Sequence, residues 1–296
     1  MSLVENQGAK IYWDETGQGE PLLLIMGLGY GSALWHRIRP ALASQFRTIA
    51  FDNRGVGWSD VPAGPYSIAT MAADAAAVLD AAGASEAHIF GVSMGGMIAQ
   101  EFALQYPLRT RSLILGCTSP GGPSALRAER KVGDILLARG ISLEQAREAI
   151  LPYIYDANTP RESIEEDLKI RRRSLPTIEG YTAQLQAVLA WEGYSRIDQI
   201  KTPTLVIHGK SDQLVPPGNG ELLAGRIPGA KLVLLGHASH IFLTDQAEAA
   251  QREILEFLFL QGERESRSST VTSATEVRGN ALFPMDIPGR HRSSSK

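Results

Sequence analysis

Short apolar runs separated by helix-length stretches set the rhythm of the chain. Leu22–Met26, opened by Pro21, is one such run; Phe46–Phe51, Arg111–Leu115, Thr204–His208 and Lys231–Leu235 are others. The continuous apolarity of Leu22–Met26 suits a strand covered on both faces, as in a parallel sheet. Between the runs lie helix-favouring segments. Trp35–Ser44 is short, Ser67–Ala82 is Ala-rich with Ser67 placed to cap it and Gly83 to stop it, and a third segment is ended by Pro107. Lys10–Trp13 alternates and runs into Thr-Gly-Gln-Gly-Glu-Pro, which predicts an early antiparallel strand and its hairpin. Strand and helix alternating at this spacing predict an α/β fold: a mostly parallel central sheet with helices on both faces.

The pattern changes between Pro123 and about Asp198, where long polar helices appear without a buried strand. We read residues 122–198 as an inserted helical cap, and 1–121 with 199–261 as the core. Leu151, Tyr153, Ile154, Tyr155, Tyr181, Leu185, Leu189 and Trp191 are expected either to close over a site as a lid or to pack the insertion's own small core. Tyr153, Tyr181 and Trp191 are the candidate substrate contacts. Arg171, Arg172 and Arg173 read as a solvated helix face in preference to an attractor of acidic substrates. After an amphipathic stretch over about Asp245 to Leu260, residues 262–296 turn to Ser, Arg and Glu and are expected to form a disordered tail.

With 29 basic and 32 acidic residues among 296, the net charge of -3 makes no electrostatic case for nucleic acid or an anionic membrane, so a small-molecule partner is expected. The single cysteine, Cys117, rules out an intramolecular disulfide. No basic segment followed by an apolar stretch opens the chain and no apolar run is long enough to span a bilayer, so the protein reads as cytoplasmic. His208, His237 and His240 lack the cysteine and carboxylate spacing of a metal site, and neither metal nor cofactor is expected.

The chemistry centres on His88–Tyr106. A β-favouring run meets Gly91-Val-Ser93-Met-Gly95 and a helix-favouring segment follows at once, the order of a strand, a sharp turn and a helix. With 29 glycines in the chain the motif alone is weak, and its context carries the weight. Gly91, Gly95 and Gly96 leave room for a strained turn that presents Ser93, and the Met94 backbone N–H lies where a developing oxyanion would sit. The Gly-rich loop after Met26 offers the Leu28 N–H as a second donor. A serine hydroxyl needs a base, and the base a carboxylate that fixes its tautomer. Asp212 and His240 each follow a predicted strand, so both converge with Ser93 on one sheet edge. His237 is the rival base, and Asp198 and Asp245 are the rival acids. Asp52-Asn-Arg-Gly-Val-Gly-Trp-Ser59 is read as a structural loop with Asp52 and Arg54 as a buried pair.

Met-Gly-Leu-Gly after the first buried strand, Asp-Asn-Arg-Gly-Val-Gly-Trp-Ser, Gly-Val-Ser-Met-Gly-Gly, His-Gly-Lys-Ser-Asp and Gly-His-Ala-Ser-His together resemble the α/β-hydrolase superfamily over about residues 8–261. The likeness is strongest to the small bacterial esterase, enol-lactonase and cofactor-free haloperoxidase-like group. It implies Ser93 as nucleophile, Asp212 as acid, His240 as base, Leu28 and Met94 as oxyanion donors, and hydrolysis of a carboxylic ester or lactone. Carbon–carbon bond hydrolysis and perhydrolysis use the same residues, and a non-catalytic ligand sensor on this scaffold is the reading most distant from these. The chain departs from many relatives in carrying Met26-Gly27 in place of His-Gly, which removes a side chain that often props the oxyanion loop.

Overall fold

The computed structural model describes residues 2–262. The chain divides after Leu258, and the first unit holds all eight strands found among the described residues. The tail expected over 262–296 lies outside the described residues from 263 onward.

The strands are β1 (Ser2–Asn6), β2 (Ala9–Thr16), β3 (Pro21–Ile25), β4 (Arg47–Phe51), β5 (Ala87–Val92), β6 (Thr110–Gly116), β7 (Thr204–Gly209) and β8 (Lys231–Leu235). They form one sheet in the order β1-β2-β4-β3-β5-β6-β7-β8. Pairing is antiparallel from β1 to β4 and parallel from there on. Two details differ from the sequence reading. The early hairpin is β1 with β2, turned at Gln7-Gly8; β1 lies at the sheet edge, half exposed, and gives little apolar signal. Thr-Gly-Gln-Gly-Glu-Pro is no hairpin, because β3 crosses over β4 to a central position that fits its wholly apolar run.

Side chains of successive strand residues point to opposite faces, and two cores result. Leu23, Ile25, Ile89, Leu113 and Val206 face one, closed by α2 (Ile68–Ala81), α3 (Met94–Gln105) and α9 (Gly218–Arg226). Leu22, Leu24, Phe90, Ile114 and Ile207 face the other, under Trp35, α1 (Arg39–Ala43), α10 (Phe242–Asp245) and the last helix, which begins at 247. Each fully buried Leu or Ile contributes roughly 1.5–3 kcal/mol, so the two-sided burial of the central strands fixes the sheet edge on which loops can meet. α2 starts as expected: the Ser67 hydroxyl accepts from the Thr70 N–H at 3.0 Å, and Gly83 beyond its end takes a φ of +67°. Between β6 and β7 run α4 (Arg130–Leu136), α5 (Leu143–Ala149), α6 (Leu151–Ile154), α7 (Arg161–Arg171) and α8 (Ile178–Ala190). Val132, Ile150, Ile154 and Tyr155 give this helical stretch a small core of its own. No helix among the described residues is long and apolar enough to cross a membrane.

The pairing expected between Asp52 and Arg54 is not formed. Both Asp52 oxygens are taken by backbone groups, the Ser32 N–H at 2.6 Å and the Trp58 N–H at 2.9 Å. Arg54 reaches instead to α2, where its guanidinium grips Asp74 through two bonds of 2.7 Å. The loop is held by two separate carboxylates, its own Asp52 and Asp74 of α2.

Candidate active site

Ser93 sits between the end of β5 and the start of α3 with φ +55° and ψ -122°, a conformation that costs a non-glycine residue of order 1–3 kcal/mol. The glycines around it explain why the turn can exist. A β-carbon on Gly91 would collide with the Gly95 carbonyl, one on Gly95 with the Ile25 carbonyl, and one on Gly96 with the Thr118 side chain. Two close backbone approaches and the Thr118 side chain packed against Gly96 therefore hold the serine at the tip of the strand. The Thr118 hydroxyl further donates to the Ser93 carbonyl at 2.7 Å.

From the loop after β8, His240 places Nε2 3.0 Å from the Ser93 Oγ, and its Nδ1 lies 2.8 Å from Asp212 Oδ2. Asp212 stands just past the end of β7 with its other oxygen, Oδ1, accepting from the Leu214 and Val215 N–H groups at 2.9 and 2.8 Å. Burial by itself would raise its pKa; the facing His240, the hydrogen bonds from it and from His208, and the His208 ring outweigh that and hold the carboxyl well below the ordinary carboxylate range. The group is thus an anion throughout the neutral range, as an orienting partner for an imidazole must be.

The rivals are placed elsewhere. His237 holds a φ of +52° in the same loop, and its carbonyl accepts from Gln246. Asp198 faces Arg226, 3.7 Å away. Asp245 accepts from the Ser239 N–H at 2.7 Å and the Thr159 hydroxyl at 2.6 Å, which makes it a brace for the loop that carries His240. Burial pushes its pKa from 3.8 up to about 6 despite those bonds. A carboxyl whose folded pKa is raised binds its proton more tightly in the native state, so its contribution to stability is largest in acid and is lost as pH rises from about 4 through about 6. Asp245→Asn is therefore expected to stabilise the protein at pH 7, by on the order of 1–2 kcal/mol after allowance for solvent screening. Thermal melts on either side of that window should show the gain only on the neutral side; an equal shift at both would refute the assignment.

Leu28 and Met94 both line the cavity beside Ser93. The side chain that Met26 fails to supply is replaced from two directions. The Asn53 amide donates to the Met26 carbonyl at 2.9 Å, while the Gly29 N–H donates to Gln184 Oε1 at 2.9 Å and the Gln184 amide reaches the Arg54 carbonyl at 2.7 Å. Gln184 is fully buried on α8, so that helix itself clamps the loop. Sequence reasoning missed both residues; α8 carries Gln184 and Gln186 two positions apart, and nothing local marks the first as the buried one.

Cys117 lies beneath, its thiol, the Asp212 carboxylate and the His240 ring coming within 4.8 Å of one another. This donor set suits a metal poorly. Complete burial, with Asp212 beside it, pushes the thiol pKa well up, and both His240 nitrogens already face partners.

A cavity of about 160 Å³ opens over Ser93 and His240, with mostly apolar walls from α4, α5, α6 and the loop after Met26. Of the three side chains expected against substrate, Tyr181 lines it. Tyr153 and Trp191 do not: the Tyr153 ring packs under Lys131, 5.4 Å away, and the Trp191 indole N–H turns to Glu101 at 2.9 Å, an anchor at the end of α8. The arginine run also departs from expectation. Arg172 and Arg173 are exposed, but Arg171 is 6% exposed and lines the cavity, because it ends α7 and turns inward onto the Tyr30 ring.

Residues 20–247 match the family model of the alpha/beta hydrolase fold. The chain belongs to that family. Among relatives of this hydrolase, a 2-hydroxy-6-oxononadienedioate/2-hydroxy-6-oxononatrienedioate hydrolase of Burkholderia vietnamiensis is 35% identical over 264 residues, covering 84% of this chain and 91% of the other. A poly(3-hydroxyalkanoate) depolymerase of Ectopseudomonas oleovorans is 34% identical over 247 residues, covering 82% and 86%. Among solved structures, an enol-lactonase from Burkholderia xenovorans superposes with a TM-score of 0.79 at 27% identity, covering 87% of this α/β hydrolase and 100% of that chain. These three are named as a hydrolase, a depolymerase and a lactonase, and this chain is an enzyme of the same family.

Proposed function

We propose that this hydrolase cleaves a carboxylic ester or lactone through an acyl-enzyme on Ser93. The observation that supports it is the unbroken line from the Ser93 hydroxyl to His240 to Asp212, at 3.0 and 2.8 Å, on the wall of a mainly apolar cavity. Ser93 Oγ attacks the carbonyl carbon as its proton passes to His240 Nε2. Asp212 keeps the proton on Nδ1 and balances the imidazolium. The tetrahedral oxyanion is received by the Leu28 and Met94 N–H groups, the latter at the start of α3 where the helix dipole favours negative charge. His240 then protonates the departing alcohol, and water, activated by the same ring, releases the acid. Stalling deacylation by rapid acid quench and measuring the intact mass should reveal one acyl group per chain, located on the peptide bearing Ser93; an unmodified Ser93 under turnover, together with no labelling by a fluorophosphonate, would exclude the reading.

Likeness to the oxononadienedioate hydrolase favours a second reading, hydrolysis of a carbon–carbon bond in an oxo acid by the same three residues. Turnover of such a ring-cleavage acid well above that of any ester would favour it.

A further inference from the structure

Two cations face the cavity without a carboxylate to meet them. Arg171, at the end of α7, and Arg147, on α5, both line it, and among the described residues no ion pair joins either to an acid. The Nε groups of both are buried and without a hydrogen-bond partner. Arg147 donates only to the Pro176 carbonyl at 3.3 Å, and the Arg171 guanidinium stacks 4.0 Å above the Tyr30 ring, which occupies a face of the cation and leaves its edge donors unmet. Asp167 nearby is already engaged by Arg37, Tyr155 and Thr244.

A buried guanidinium with unmet donors is costly, and a second cation beside it raises that cost. Burial, and then the charge of Arg171, lower the pKa of Arg147, as expected for two cations sharing a poorly solvated space. A carboxylate relieves both penalties at once, because its two oxygens accept in the plane of a guanidinium fork. We infer that Arg171 and Arg147 form an anion subsite in the cavity over Ser93, and that the substrate is an ester or lactone carrying a carboxylate apart from the scissile carbonyl. This rests on the acyl-transfer reading for the identity of the reacting bond, but the subsite itself is a separate claim about binding.

The test compares acidic esters with neutral isosteres in two series. One carries the acid on the acyl half, as mono-p-nitrophenyl glutarate and adipate against p-nitrophenyl valerate and hexanoate; the other carries it on the alcohol half, as acetyl esters of ω-hydroxy acids against alkyl acetates. In at least one series kcat/KM is expected to favour the acidic ester by about tenfold or more. R171Q should then reduce that acid-to-neutral ratio at least about tenfold, mainly through KM, with R171K and R147Q intermediate. A purely structural arginine would lower both members of a pair alike and leave the ratio unmoved. Calorimetry of glutarate and adipate, with butyrate as control, on Ser93→Ala supplies the second readout: saturable binding of the dicarboxylates, at least about tenfold weaker when R171Q is added. No acidic preference in either series and no dicarboxylate binding would overturn the subsite while leaving ester hydrolysis standing. Absence of ester turnover and of Ser93 acylation, with Arg171-dependent dicarboxylate binding intact, would overturn the acyl-transfer reading and leave the subsite.

Discussion

Ser93→Ala is expected to lower kcat on p-nitrophenyl butyrate by roughly 10⁵- to 10⁶-fold, since a site of this kind loses nearly all its nucleophilic advantage with the hydroxyl and retains only what oriented donors and binding give to a water attack. Its fold should survive. Alanine keeps the β-carbon that Ser93 already places 3.0 Å from where a side chain on Gly27 would begin, so the strained φ of +55° is neither relieved nor worsened, and the lost hydroxyl made its bond to His240. The melting temperature should therefore stay within a few degrees of the parent. A mutant that turned the ester over at the parent rate, correctly folded, would remove Ser93 from the chemistry altogether.

What the sequence could and could not disclose follows from how far each feature depends on distant contacts. The central strands were readable because burial on both faces leaves a run such as Leu22–Ile25 no polar position; Ser93 and Asp212 follow fully buried strands and His240 follows the part-exposed edge strand β8, and a parallel sheet brings those ends together. The turn around Ser93 was legible in its glycines, which local sterics alone demand. Arg54 and Arg171 were misread for the opposite reason. Nothing within a few residues of Arg54 announces Asp74, and nothing in a run of three arginines says that the helix ends at the first of them and leaves that one facing inward. Tyr153 and Trp191 failed similarly: aromatic residues in the helical stretch between β6 and β7 serve its anchoring as readily as the cavity. Gln184 shows the same limit from the other side, since the loss of a propping side chain at Met26 was visible while its replacement stands 155 residues from the Gly29 that it holds.

Asp212→Asn is expected to be almost as damaging, about 10⁴-fold in kcat at neutral pH, and the hydrogen bonds of this site say why an amide so close in shape fails. Asp212 Oδ1 accepts from two backbone N–H groups, those of Leu214 and Val215. An asparagine here must keep its carbonyl oxygen in that place, because turning it would aim an NH₂ at two donors and leave all of them unsatisfied. Its NH₂ is then forced to the position of Oδ2, 2.8 Å from His240 Nδ1. That nitrogen has to accept, so the ring carries its proton on Nε2, pointing at the Ser93 hydroxyl it is meant to deprotonate. Geometry and fold are preserved and the base is in the wrong tautomer. The measurement that checks this is kcat/KM together with the chemical shifts of the ¹⁵N-labelled imidazole, which should move from an Nδ1–H to an Nε2–H pattern. A mutant with the parent tautomer and the parent rate would show that His240 does not need Asp212 to orient it.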